Sequence, residues 1–200
     1  MTVPPRQSPL LRAVLGQIEW WWDTTFRPRL DGLGQRELEW EPVPGCWRIT
    51  PTEDGLVAYD FEWPPPHPAP FTTIGWRLCH IGIGCLANRA SVLFPESVTE
   101  PITTRLFEGP LPFPSTADEV LAFLDRWWAI WIGGLRDAGD DWLWEPIGDR
   151  EWDVPEMQLG TGDPVIGLVL HVHRELMHHG GEIGVLRDLY RSTYSTATTT

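Results

Sequence analysis

The sequence predicts an all-α fold, a four-helix bundle with long crossover connections. Four segments of about 20 residues carry apolar side chains at the helical i, i+3, i+4 spacing. The first and third connectors between these segments are too long for tight antiparallel hairpins, so crossovers are expected. We expect one helical domain over residues 1–200, with a loose arm at 1–9 and a disordered tail at 192–200.

The first helix is expected from Leu10 to about Leu30, with Pro28 interrupting its end. In the connector to the second helix, CWRIT (46–50) and LVAYDF (56–61) are rich in β-branched and aromatic residues. The segment between them, PTEDG, ends in Asp-Gly, a dipeptide typical of hairpin turns. The helix 1–2 connector is therefore predicted to contain a small β-hairpin.

The second helix should begin at Thr72 or Thr73, either of which can cap it, and end at about Phe94, before Pro95. Glycine lowers helix propensity by nearly 1 kcal/mol relative to alanine. This helix nevertheless contains three glycines, at positions 75, 82 and 84. We expect close approach by another helix or by a ligand to compensate for them.

The third helix has a capping-box pattern, in which Ser115 or Thr116 precedes acidic residues at 118 and 119. It is predicted to extend to about Ala138, before a Gly-Asp-Asp break. The fourth helix should have Pro164 in its first turn, where the missing N–H costs little, and should continue to about Tyr190.

Ionisable side chains gather on one side of this fourth helix. At about 100° per residue, five of them fall within an arc of roughly 100°: His171, Glu175, His178, His179 and Glu182. Burying such a row costs several kcal/mol per unpaired charge, and a divalent metal is the simplest compensation. His173 lies on the opposite side and is expected to be exposed.

Two of these residues can converge on one ion. Glu175 and His179 are one helical turn apart, so a third ligand must come from another segment. The remaining histidines are His67, among prolines and expected to be exposed, and His80, on the second helix. A site of His80, Glu175 and His179 would have an open position suited to Zn²⁺, and also to Ni²⁺, Fe²⁺ or Mn²⁺. The spacing alone is also compatible with His178 as the ligand in place of His179, and with a polar cluster that binds no metal.

Composition narrows the classes of partner. The net charge is −13 and every basic residue is an arginine, so a nucleic-acid partner is not expected. No apolar run is long enough to span a membrane, and no signal peptide is recognisable, so the protein is expected to be cytoplasmic. Its three cysteines form no CxxC pair and are expected to be buried and reduced.

Two motifs together resemble a known family. HRELMHHGGEIGVLRDLY (173–190) resembles the last helix of the DinB/YfiT-like metalloenzyme superfamily, whose members carry an H-x-x-H-H-R-G-Q-I type run there and a histidine on the second helix. TIGWRLCHI (73–81) resembles that second-helix segment, and PGCWRI (44–49) also fits the layout. Gly180-Gly181-Glu182 departs from the usual Arg-Gly-Gln. The resemblance implies a DinB-like four-helix bundle with a bound metal.

Glu175 stands where many members have a histidine. In this respect the chain is similar to the mycothiol-dependent maleylpyruvate isomerase branch, which uses histidine, glutamate and histidine. The resemblance therefore implies His80, Glu175 and His179 as ligands of a divalent metal, first of all zinc, and favours His179 over His178. It also implies mycothiol or a similar low-molecular-weight thiol as co-substrate of an S-transferase or isomerase.

Within that expectation, His171 and Glu182 are the candidate catalytic residues, which would orient a ligand or move a proton. Arg89 or Arg187 could pair with a carboxylate of a small-molecule substrate. Two alternatives remain: a metal-dependent hydrolase at the same site, and a non-catalytic, stress-associated bundle that binds metal or a ligand. A homodimer is compatible with the apolar bundle surface.

Overall fold

A computed structural model describes residues 8–148 and 159–195 of the chain. Four long helical segments account for most of it, as expected for an all-α bundle. Their bounds are Pro9–Trp21 with its continuation to Arg29, Ile74–Cys79 with its continuation to Leu93, Ala117–Asp137, and Val165–Ser195. Short helices at Gln35–Leu38 and Asp140–Leu143 and a 3₁₀ turn at Pro95–Ser97 lie in the connectors.

The first helix begins at Pro9, because Ser8 accepts hydrogen bonds from the backbone N–H groups of Leu10 and Leu11 at 3.2 and 3.3 Å. Ser8 and Pro9, expected in the loose arm, thus belong to the helix start, while 1–7 lie outside the described residues. A π-helical segment, Trp22–Phe26, follows, and a last turn, Arg27–Arg29, contains Pro28. Pro28 sits in the first turn of this piece, where a missing N–H is tolerated, so it does not interrupt the helix.

The second helix is capped by Thr73, whose hydroxyl accepts from the backbone N–H of Trp76 at 3.1 Å. Its middle, His80–Ala87, is π-helical. The expected close approach to its glycines is present. A Cβ at Gly82 would lie 2.9 Å from a ring carbon of Phe113, and one at Gly84 would lie 2.8 Å from Leu106 Cδ1. Packing of the connectors and the third helix thus offsets the low helix propensity.

The predicted hairpin is confirmed. Strands β1 (Ile49–Pro51) and β2 (Val57–Tyr59) pair antiparallel, with Ile49 opposite Tyr59. Val57 is fully buried and exchanges two backbone hydrogen bonds with Leu111, at 3.0 and 2.8 Å. The hairpin is therefore tied to the long connector between the second and third helices.

The third and fourth helices begin close to their predicted positions. Thr116 precedes the third helix, but its hydroxyl donates to Glu119 Oε2 at 2.5 Å, and its side chain forms no hydrogen bond to the helix backbone. The fourth helix extends to Ser195, so residues 192–195, expected in a disordered tail, are helical. The rings of Tyr190 and Tyr194, one turn apart, lie 4.7 Å from each other, and this i, i+4 pair supports the added turn.

The three cysteines, Cys46, Cys79 and Cys85, are buried free thiols, as expected. Among residues 8–148 and 159–195, no helix combines the length and the hydropathy needed to cross a bilayer.

Candidate metal centre

His80, Glu175 and His179 meet between the second and fourth helices. One nitrogen of each imidazole and one carboxylate oxygen all lie within 4.8 Å of one another. Glu175 Oε2 is 3.4 Å from His179 Nε2 and 4.0 Å from His80 Nε2. The two imidazole rings meet edge to face, with centroids 4.7 Å apart. The structure thus brings together the three residues that the sequence singled out as ligands.

This donor set fits a small divalent cation. Ligand atoms of a tetrahedral Zn²⁺ are about 3.3 Å apart when each bond is about 2.0–2.1 Å. The two distances from Glu175 Oε2, 3.4 and 4.0 Å, are close to that value, and the third pair of ligand atoms lies within 4.8 Å. The three side chains are 13–25% exposed, so a further position could be reached from solvent. Two imidazoles and one carboxylate with an open position are typical of catalytic metal sites.

His179 is oriented by Glu182. Its Nδ1 lies 2.6 Å from Glu182 Oε2, a distance at which Nδ1–H donates to the carboxylate and Nε2 turns toward Glu175. Arg77, on the second helix, donates to the same Oε2 and lies 3.1 Å from His179 Nδ1. Burial lowers the pKa of Arg77 despite the charge of Glu182. A carboxylate on the outer nitrogen of a ligating histidine is the usual support in metal sites.

The two carboxylate oxygens of Glu175 have different neighbours. Its Oε1 accepts from Arg174 Nε at 3.2 Å and from Nη2 at 3.0 Å, while Oε2 faces the two histidines. The contacts with His179 and Arg174 lower the pKa of Glu175 to about 2. The carboxylate is therefore charged at neutral pH, as a metal ligand must be.

His80 is held in an aromatic environment. The indole of Trp76, one turn earlier, stacks on its ring at 5.4 Å, and the hydroxyl of Tyr59 lies 3.1 Å from its Nδ1. Burial, with the nearby His179, lowers the pKa of His80 to about 3, so the imidazole is neutral. Burial also raises the pKa of Tyr59 well above its usual value, so the phenol keeps its proton.

The two candidate catalytic residues lie on either side of the three ligand candidates. His171 Nδ1 is 3.9 Å from Glu175 Oε1 and 2.6 Å from Arg174 Nη2. Burial lowers the pKa of His171 to about 4. Glu182 lies on the other side, where its Oε2 is shared by His179 and Arg77. Both positions are next to ligand candidates, which suits side chains that orient or support them.

His178, the alternative ligand, points outward. Its side chain is 61% exposed, and its Nε2 is 3.3 Å from Glu182 Oε1. It forms a second compact group with His179 and Glu182. This second group shares His179 with the group of His80, Glu175 and His179. One of its members is exposed, so it would shield a bound ion from solvent less well.

His173 was expected to be exposed, and this expectation was wrong. It is 1% exposed, and its Nε2 accepts from Trp131 Nε1 at 3.3 Å. Trp131 of the third helix thus packs against the face of the fourth helix opposite Glu175. The amphipathic pattern alone did not reveal this contact.

The two arginines considered as substrate anchors lie in different surroundings. Arg187 is 1% exposed and its guanidinium binds Glu37 inside the protein, so it is not available to a substrate. Arg89 is partly buried on the second helix, and burial lowers its pKa to about 10 although Cys85 nearby opposes the shift.

Sequence reasoning missed Tyr59 and Arg77, both in contact with candidate ligands. For Arg77 a signal existed, because it precedes His80 by three residues and so shares its helix face. For Tyr59 none did, because it lies 21 residues from His80 on a different element.

Comparison with known proteins identifies the family. The family model of the DinB superfamily matches residues 17–183, which include the hairpin and all three candidate ligands. No curated protein and no solved structure matches the chain significantly. The match covers more than half of the chain and agrees with the helical fold described above. The chain therefore belongs to the DinB superfamily.

Proposed function

We propose that this protein binds a divalent transition metal, first of all Zn²⁺, through His80, Glu175 and His179, and that it is a metal-dependent enzyme. The convergence of two imidazole nitrogens and one carboxylate oxygen within 4.8 Å carries the proposal. The charged state of Glu175 and the neutral state of His80 support it, because these are the forms that bind metals.

The reaction we propose is S-transfer or isomerisation with a low-molecular-weight thiol of the mycothiol type. A divalent cation supplies a Lewis acid that lowers the pKa of a bound thiol or water. Glu182 keeps Nε2 of His179 directed inward, and His171, adjacent to Glu175, would orient the thiol or substrate and exchange a proton with it. The choice of a thiol rests on the His, Glu, His order of the ligands, which resembles the mycothiol-dependent branch.

Metal content provides the first test. Protein purified without added metal should contain about one equivalent of a transition metal, as expected for one site. His80→Ala and Glu175→Gln should each lose most of it. His178→Ala is the matched control, because its side chain is 61% exposed and it should retain the metal. Less than about 0.2 equivalents in the wild-type protein, unchanged in His80→Ala, would refute the proposed site.

Thiol chemistry provides the second test. The metal-loaded protein should consume a simple electrophile, such as a maleimide or a cis-unsaturated acid, in the presence of mycothiol faster than with the thiol alone. His80→Ala should abolish the acceleration, and His178→Ala should preserve it. Metal binding with no response to any thiol would exclude the thiol reaction. Ester or amide hydrolysis would then support the hydrolase, and no activity would support the non-catalytic bundle.

A further inference from the structure

The hairpin between the first two helices contributes one polar atom to the candidate metal centre. Tyr59, at the end of β2, places its hydroxyl 3.1 Å from His80 Nδ1. Its ring also stacks on Trp76 at 4.8 Å and 16°. Tyr59 thus approaches His80 on the nitrogen that faces away from Glu175.

The backbone around Tyr59 is held in place by its neighbours. The carbonyl of Asp60 accepts from Trp76 Nε1 at 2.8 Å, which ties the hairpin to the second helix. The Asp60 carboxylate accepts from the backbone N–H of Arg48 at 2.9 Å, and Val57 pairs with Leu111 on the other edge. A hydroxyl on such a support is fixed in position and can select one state of the ring that it contacts.

A neutral imidazole carries a single N–H, and the partner of one nitrogen decides whether the other offers a lone pair. His80 Nε2 lies 4.0 Å from Glu175 Oε2, beyond hydrogen-bond distance, so an Nε2–H would gain no hydrogen bond there. The Tyr59 hydroxyl, 3.1 Å from Nδ1, can accept an Nδ1–H or donate its own proton to Nδ1. An ion bound at Nε2 requires the ring proton on Nδ1, and the Tyr59 oxygen is then within hydrogen-bond distance to accept it.

We propose that Tyr59 is a positioning residue for the metal site: its oxygen accepts the Nδ1–H of His80 and so turns the Nε2 lone pair toward the ion. The inference rests on the proposed function, since it assigns Tyr59 to the same site. Tyr59 does for His80 what Glu182 does for His179, from a different element and with a neutral group. The hairpin is thus part of the site as well as of the fold.

Tyr59→Phe tests this directly, because it removes the hydroxyl and keeps the stacked ring. Loss of an outer hydrogen bond to a ligating histidine typically weakens metal affinity by about 10–100-fold. We expect a loss in that range for Tyr59→Phe, measured by competition for Zn²⁺ with a chelator. Tyr190→Phe is the control, because Tyr190 packs on Trp40 and Tyr194 and should leave the affinity unchanged. A Tyr59→Phe affinity within twofold of the wild type would overturn the proposal.

A second readout follows the ring proton itself. With Zn²⁺ on Nε2 the proton of His80 is on Nδ1, and its NMR signal should exchange slowly with water because the Tyr59 oxygen accepts it. Tyr59→Phe should speed this exchange, whereas a purely structural role of Tyr59 would lower the melting temperature and leave the exchange unchanged. Equal exchange in the two proteins would refute the role of Tyr59. A wild type that binds no Zn²⁺ would refute the proposed function, whereas a wild type that binds Zn²⁺ with the same affinity and exchange as Tyr59→Phe would refute only the role of Tyr59.

Discussion

Arg187 and Glu37 form a two-pronged ion pair inside the protein. Arg187 Nε donates to Glu37 Oε1 at 2.8 Å and Nη2 donates to Oε2 at 3.0 Å, and the two residues are 1% and 5% exposed. Arg187 Nη1 also donates to the backbone carbonyls of Arg29 and Asp31. The pair joins the fourth helix to the chain that follows the first helix. Both residues therefore stabilise the fold, and neither is a substrate anchor.

Removing one member of this pair should be costly. Glu37→Ala leaves a buried guanidinium without its counterion, and we expect a loss of about 3–5 kcal/mol in the free energy of unfolding, measured by urea denaturation. Arg29 and Asp188 form a comparable but exposed pair, with side chains 45% and 65% exposed. Asp188→Asn should therefore cost less than about 1 kcal/mol. Equal effects of the two substitutions would contradict this assignment.

The adjacent glycines Gly180 and Gly181 should respond in opposite directions to alanine. A Cβ at Gly180 would lie 2.8 Å from Trp21 Cη2 and 2.9 Å from Phe26 Cδ2, and these two rings are themselves stacked at 4.8 Å. Gly180→Ala should lower the free energy of unfolding by about 1–3 kcal/mol through overpacking.

At Gly181 a Cβ would meet no atom within 4 Å. Gly181→Ala should therefore raise stability by up to about 1 kcal/mol, because alanine has the higher helix propensity. Chemical denaturation of both variants measures the two opposite changes in the free energy of unfolding. A stabilising Gly180→Ala would show that the first helix can move away from the fourth.

The thiol of Cys85 should make the protein sensitive to alkaline pH. Burial raises the pKa of Cys85 from 9.0 to about 12. Between these two values the unfolded chain has lost the thiol proton and the folded chain keeps it, so stability falls as the pH rises from about 9 to 12. At about 1.4 kcal/mol per pH unit, the shift corresponds to roughly 4 kcal/mol at the upper end.

The measurement is urea unfolding at several pH values in wild type and in Cys85→Ala. Above pH 9, the free energy of unfolding should fall less steeply with pH in the variant than in the wild type. Part of the fall should remain, because burial also raises the pKa of Cys79. Below pH 9 a thiol reagent should react with Cys85 only after unfolding. Fast labelling of the native protein at pH 8 would disprove the burial on which this prediction depends.

The contact between His173 and Trp131 should contribute to stability, independently of the proposed metal. His173→Leu fills a similar volume but leaves the buried Trp131 N–H without its acceptor. We expect a loss of about 1–3 kcal/mol in the free energy of unfolding. His178→Leu, five residues later at an exposed position, should change stability by less than about 0.5 kcal/mol. Comparable losses in the two variants would argue against the buried hydrogen bond.

Local signals in the sequence predicted those features whose cause is local. Thr73 caps the second helix because a hydroxyl can reach the next turn, and the Asp-Gly turn predicts the hairpin from two strands only five residues apart. The i, i+4 spacing of Glu175 and His179 likewise predicts that both face one ion. Pro28 and the residues 192–195 were judged from propensity alone. Pro28 lies in the first turn of Arg27–Arg29, where its missing N–H is tolerated, and the ring of Tyr194 packs on that of Tyr190 one turn earlier.

The sequence by itself predicted the helical fold and the hairpin, because helical periodicity and turn chemistry are properties of short segments. Periodicity also put Glu175 and His179 on one helix face, while His80 was added as the histidine available on another helix and through the family resemblance. The tertiary structure alone decided which neighbours orient those ligands: Tyr59 on His80, and Arg77 with Glu182 on His179. It also decided that His173 and Arg187 are buried. These relationships depend on side chains from separate elements, whose meeting follows from how the helices pack against one another.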